Sequence, residues 1–320
     1  VFADSWRLSV SLELPKSMPP PVSTGGLIRI IPQRSIGRNP GIMGIAKQMN
    51  SSPNLSLLGP FLAVYRHWHV LLPMLRRDIA ARYRGSVLDI AWVFLQPALF
   101  VAVFYFVFTV VFASRWAVGD GAATANFGLL AYAGLIVFNL FSEAVIRGPS
   151  LLLDNSAYVK KLLFPIEVLA PIAVGSGLYS AMLNSALLLV LVLVLGDARW
   201  QMLLFPLALL PIMLLTLGCT WFLSALGVYF RDSRQIVALA MTGLMFLSPI
   251  FYPIAAVPPP YQGLLLLNPL ASAIEMARAA LFGGAIDWAS WVISLIFSFV
   301  ALWLGYAWFQ LTRRGFSDVL

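Results

Sequence analysis

The side chains that could carry chemistry are few in this chain, and they are not grouped for it. Its 320 residues include one cysteine, two histidines and 13 acids. Cys219 lies inside an apolar run and has no second thiol to join in a disulfide or a metal site, so it reads as a small packing residue. His67 and His69 stand two apart, which puts them on different faces of a helix and argues against a shared metal. None of the four lysines is framed by the glycines of a Gly-x-x-x-x-Gly-Lys-Ser/Thr phosphate loop. The acids are too dispersed for the catalytic cluster of a membrane transferase. No charged residue falls mid-way along an apolar run, where an ion-coupled carrier would keep one. The expectation is a protein without a metal or cofactor of its own.

The elements that would hold these residues are set by composition. With 60% apolar and 11% charged residues, the chain departs from the balance of a soluble domain, and lipid is the solvent for most of it. Six apolar stretches, most of them about 20 residues or longer as a hydrocarbon core of about 30 Å requires, are expected at residues 91–112, 127–146, 168–195, 202–229, 236–251 and 288–311. No alternation of period two supports a barrel, so the fold class is an all-α integral membrane protein with six transmembrane helices. Proline-rich breaks after 247 leave residues 271–283 as a short helix outside the fifth span. Residues 60–84 mix Trp68, Leu71, Leu72, Leu75 and Ile79 with five arginines at helical spacing. They predict an amphipathic helix at the membrane surface, interrupted at Pro73. Residues 1–55 show no periodicity and read as a disordered tail, with a mis-assigned start before Met43 or Met49; deleting the first forty or so is expected to leave activity intact. Residues 312–320 form the other terminus.

Basic residues give the orientation. Arg66, Arg76, Arg77, Arg82, Arg84, Arg147, Lys160, Lys161, Arg231, Arg234, Arg313 and Arg314 fall on one side, against Arg115, Arg199 and Arg278 on the other. The positive-inside rule then places both termini in the cytoplasm. The formal charge of +8 is spread along membrane flanks rather than gathered in a stripe, which favours anionic lipid over nucleic acid.

Several segments resemble a known family. Arg77-Asp78-Ile79 with Arg82-Tyr83-Arg84-Gly85-Ser86-Val87-Leu88, Trp92 and Gln96-Pro97 is similar to the approach to the first span of ABC-2 type permeases that export polysaccharides. Lys160-Lys161-Leu162-Leu163-Phe164-Pro165 with Glu167, then Tyr229-Phe230-Arg231-Asp232, then Ser248-Pro249-Ile250-Phe251-Tyr252-Pro253 with Asn268-Pro269 and Glu275-Met276-Ala277-Arg278, follow in the family's order. Gly315-Phe316-Ser317-Asp318-Val319-Leu320 is similar to its C-terminus. Asp89 departs from the pattern, which more often has Gly there.

The resemblance implies the membrane half of an exporter in a bacterial inner membrane. It implies a homodimer served by two copies of a separate ATPase subunit, which binds the ATP and Mg. The implied cargo is a lipid-linked polysaccharide such as O-antigen, capsule or teichoic acid, with a lipo-oligosaccharide or a drug as alternatives. An ATPase must push on something rigid, and the loop 148–161 is the candidate. Ser150, Asp154, Asn155, Tyr158, Lys160 and Lys161 are its coupling residues, beside Arg76, Arg77, Asp78, Arg82, Tyr83 and Arg84 of the interface helix. Arg231 and Asp232 are expected to clamp the fourth and fifth spans or touch that helix. Glu275 and Arg278, three apart, can pair on one helix face, and the resemblance places them in external gate helices. It also places the first and fifth spans at the pore, where Phe104, Tyr105, Phe108, Phe246, Phe251 and Tyr252 could stack on sugar rings.

Overall fold

Long apolar runs with no water to satisfy their backbone fold as helices, because each N–H and C=O is then bonded within its own segment. The structure is a computed structural model and describes residues 56–83, 95, 98–100, 102–103, 106–111, 115–117, 124–159, 164–194, 199–266 and 268–319. The expected tail and residues 91–94, 96–97, 101, 104–105 and 112 of the first expected span lie outside the described residues, as does Asp89.

The helices in chain order are α1 (Gly59–Arg66), α2 (Trp68–Tyr83), α3 (Phe127–Arg147), α4 (Leu151–Asp154), α5 (Ser156–Val159), α6 (Leu169–Val194), α7 (Phe205–Tyr229), α8 (Ser233–Leu247), α9 (Pro259–Leu266), α10 (Pro269–Phe282), α11 (Trp288–Thr312) and α12 (Phe316–Val319). A short antiparallel pair, Arg115–Ala117 with Thr124–Asn126, precedes α3. Among the described residues four helical segments are long and apolar enough to cross a membrane: Phe127–Asp154, Ile166–Val194, Trp200–Tyr229 and Trp288–Gly315. The fifth expected span appears as α8, an apolar helix of 15 residues. At 1.5 Å per residue it reaches about 22 Å, short of a full hydrocarbon core.

The break between α1 and α2 falls at His67, whose Nδ1 lies 3.0 Å from the Ala63 carbonyl. The expected interruption at Pro73 is corrected: Pro73 sits inside α2. It is exposed, so the carbonyl it leaves without an N–H partner need not be buried unsatisfied.

The core is built around α3, which is buried along most of its length. α7 and α11 make the closest helix pair. A Cβ at Gly218 would overlap the Ala301 carbonyl, and one at Gly305 would overlap Gly218 itself. In lipid, where apolar side chains gain nothing by leaving solvent, such backbone approach is a main source of helix association.

The two ends of the bundle carry different charges. At one end Arg147 meets α2, Pro149 abuts Gly227 of α7, Tyr229 donates to the Thr312 carbonyl, and Arg313 pairs with Glu167 at 3.0 Å. The other end holds Arg278, bonded near the start of α3, and Arg199, whose guanidinium lies over Gly283. Gly283 has φ 79° and closes α10, a left-handed position that disfavours any side chain.

Candidate functional site

The arginine-rich end is built around a turn. Arg147 ends α3, and Gly148–Ser150 tightens into a 3₁₀ turn with proline in its first positions, where a missing N–H costs nothing. Leu151 and Leu152 bury one side of α4 while Asp154 is exposed. Asn155 then interrupts the helix and donates its amide to the Leu151 carbonyl at 2.9 Å. Tyr158 packs against Phe164 with ring centres 5.0 Å apart and planes tilted by 35°, and its hydroxyl accepts from Arg77 at 2.9 Å. The turn lies directly on α7, so close that a Cβ at Gly227 would overlap the Pro149 carbonyl oxygen.

Beside the turn, α2 joins α3 and α6. The Asp78 carboxylate accepts both terminal nitrogens of Arg147, at 3.0 and 3.1 Å, and the Ser176 hydroxyl at 2.5 Å. Arg82 pairs with Glu143 and donates to Ser180 at 3.2 Å. Leu75 fills the space that Gly175 leaves on α6. Burial by itself would raise the Asp78 pKa. The bonds from Arg147 and Ser176 and the charges of Arg147 and Arg82 outweigh it, holding the carboxyl below its usual value.

The opposite end is organised by one guanidinium. Arg278 is 2% exposed and donates to the carbonyls of Leu130 at 3.1 Å and Ile250 at 2.6 Å, and to Glu275 at 2.9 Å. Gly134 makes room for it. Asn268 caps α10 by accepting from the Leu270 N–H, and donates to Ser248 across the break. Phe246 and Phe251 lie 6.4 Å apart, and Tyr252 donates to the Phe246 carbonyl.

This order of elements can be compared with known proteins. The family model described as ABC-2 type transporter matches residues 70–282. The chain belongs to the ABC-2 type transporter family. It is 30% identical over 259 residues to an O-antigen export system permease protein of Myxococcus xanthus, covering 80% of this chain and 96% of that one. It is 23% identical to the corresponding permease of Klebsiella pneumoniae, over 78% of this chain and 95% of that one. A polysialic acid transport protein of Escherichia coli is also 23% identical, over 73% of this chain and 90% of that one.

Set against the expectations, this ABC-2 chain brings Ser150, Asp154, Asn155, Tyr158, Arg77, Asp78 and Arg82 to one end. Ser150 donates only a long bond, 3.4 Å, to the Arg147 carbonyl, and Arg76 is exposed. Lys160, Lys161 and Arg84 lie outside the described residues, as do Phe104, Tyr105 and the side chains of Tyr83 and Phe108. Arg231 and Asp232 are exposed at the turn between α7 and α8 and form no ion pair with another described residue, while the Asp232 carbonyl accepts from the N–H groups of Gln235 and Ile236. At a two-residue water-facing turn, ordering both long side chains costs about as much as the ion pair returns. The Ser233 hydroxyl closes that turn instead, donating to Phe230 at 2.5 Å.

Sequence reasoning missed Glu143, Arg147, Ser176 and Ser180 as partners of α2. The signal was present: Asp78 and Arg82 are four apart, and so are Glu143 and Arg147, in the order that pairs antiparallel helices. It also missed the two carbonyls that hold Arg278, which no sequence pattern marks.

Proposed function

We propose that this chain is the permease subunit of a polysaccharide exporter, passive by itself and moved by a separate ATPase subunit that docks on the turn 148–159. The observation that carries this reading is how that turn is attached to the bundle. It protrudes with Asp154 exposed, is wedged on α7 at Gly227, and is bonded to α2 through Tyr158 and Arg77. A surface that is polar at its tip and tied to the spans is what an external motor needs. The relatives named as export permeases supply the cargo class, and a lipid-linked glycan such as O-antigen is the form proposed here.

On this reading the chain works as a homodimer in a bacterial inner membrane, with six spans and both termini cytoplasmic. The stretch 60–84 stands at the cytoplasmic interface. Support comes from the charge count and from the arginine-rich end being the end that bears the turn. α8 offers a surface for the second copy: Ile236, Leu239, Phe246 and Leu247 are exposed along it, and Gly243 faces open space. Phe246, Phe251 and Tyr252 would then line the path between copies, and the Glu275–Arg278 region would close its outer end.

The test is reconstitution with the ATPase subunit in vesicles. Replacing Asp154 and Tyr158 by Ala together should abolish glycan transport while the permease accumulates normally and the ATPase still hydrolyses ATP. Unchanged transport in that variant would remove the turn as the docking point.

A further inference from the structure

The contacts between α2, α3 and α6 form two rungs with opposite polarity. In the first, an acid on α2, Asp78, faces a base on α3, Arg147, with Ser176 of α6 as third member. In the second, one turn further along each helix, a base on α2, Arg82, faces an acid on α3, Glu143, with Ser180 of α6. Each helix contributes residues four apart, so the rungs are one helical turn, about 5.4 Å, from each other.

Helices that shift past one another favour steps of one turn, because side chains then return to equivalent grooves. Here each such step is opposed. Sliding α2 one way brings Asp78 against Glu143, and sliding it the other way brings Arg82 against Arg147. Both steps exchange attraction for like-charge repulsion. The serines do not discriminate, since a hydroxyl donates to the carboxylate of one rung and accepts from the guanidinium of the other. Alternation on α2 and α3 therefore fixes the register, beyond what two ion pairs of any order would do.

We propose that these rungs are a register lock, which makes α2 and α3 move as one piece when the coupling turn is pushed. This use of the lock rests on the proposed docking of an ATPase. Without it, Arg77 and Tyr158 would deliver force to a helix free to slip by a turn, and the spans would not follow.

The lock can be separated from simple ion-pair support by exchanging charges within one rung. Asp78→Arg with Arg147→Asp keeps an ion pair in both rungs but puts two bases on α2 and two acids on α3, so a one-turn slide again finds an attractive partner. Arg82→Glu with Glu143→Arg does the same from the other rung and serves as the second variant should the first fail to fold. Exchanging both rungs together restores alternation. In the full chain, with Cys219→Ala and cysteines at the exposed positions Ala80 and Ile293 spin-labelled, diluted into an excess of unlabelled copies of the same variant and reconstituted with its ATPase, wild type should give one distance within a protomer. Each single-rung exchange should add a second population displaced by about 5 Å, and transport per ATP should fall severalfold. The four-site exchange should recover one distance and wild-type coupling. A single distance in both one-rung variants overturns the lock, as does a second distance that persists in the four-site exchange. A second distance with unchanged transport per ATP leaves the register lock in place and overturns its use by a motor.

Discussion

Arg278 does more than its sequence context suggests. An i, i+3 pair with Glu275 would contribute a few tenths of a kcal/mol on a helix surface, yet the guanidinium is buried and holds the carbonyls of two other segments. Its planar fork reaches them from two different nitrogens, whereas an ammonium must serve both from a single point. Arg278→Lys is expected to lower the thermal midpoint in detergent by the loss of one charge-assisted bond, about 1.5–3 kcal/mol. Glu275→Gln should cost much less, because Glu275 is 41% exposed. Asp78 gives a pH prediction. Its folded pKa is depressed below 3.8, so its contribution is complete above the unfolded value and is lost as pH falls through the folded one. The stability gap between wild type and Asp78→Asn should be constant from about pH 5 upward and close below about pH 4. A gap that instead changed between pH 6 and 8 would assign the titration to another group.

At the scale of elements, α7 and α11 depend on contact between backbones rather than between large side chains. Gly305→Leu should prevent these helices from meeting and abolish the folded fraction in detergent, read by size exclusion. Gly263→Ala, in a helix position with no heavy atom within 4 Å, is expected to be neutral or stabilising by about 0.4–1 kcal/mol. The helices themselves were legible in the sequence because apolar length and proline breaks are local properties. α10 follows Asn268-Pro269 and stops at Gly283, and both ends carry their signals in the residues beside them. Partners across the bundle were legible only where spacing encoded them. Glu143 and Arg147 mirror Asp78 and Arg82, whereas the carbonyl of Ile250 is offered to Arg278 by a break in the chain, and backbone geometry leaves no mark on composition. Tyr132 and Asn184, joined at 2.6 Å between α3 and α6, are likewise ordinary polar residues until the helices are placed.

At the scale of the whole molecule, charge asymmetry and orientation are linked, and the single cysteine makes the link easy to measure. Cys219→Ala gives a background without thiols. A cysteine returned at Asp154 should then react with an impermeant reagent only from the cytoplasmic side, and one at Glu275 only from outside. Labelling of both from one side would refute the proposed topology. Assembly is testable on the same background: Gly243→Leu leaves an isolated protomer undisturbed, since nothing lies near that position. It should weaken self-association if α8 meets its copy, read as a shift from dimer to monomer in mild detergent. The meeting of Pro149 and Gly227 has a consequence for descent as well as for mechanics. What a side chain at 227 would strike is the backbone of residue 149, which every residue type carries, so no exchange at 149 can compensate, and glycine should persist at 227 in descendants whatever comes to stand at 149.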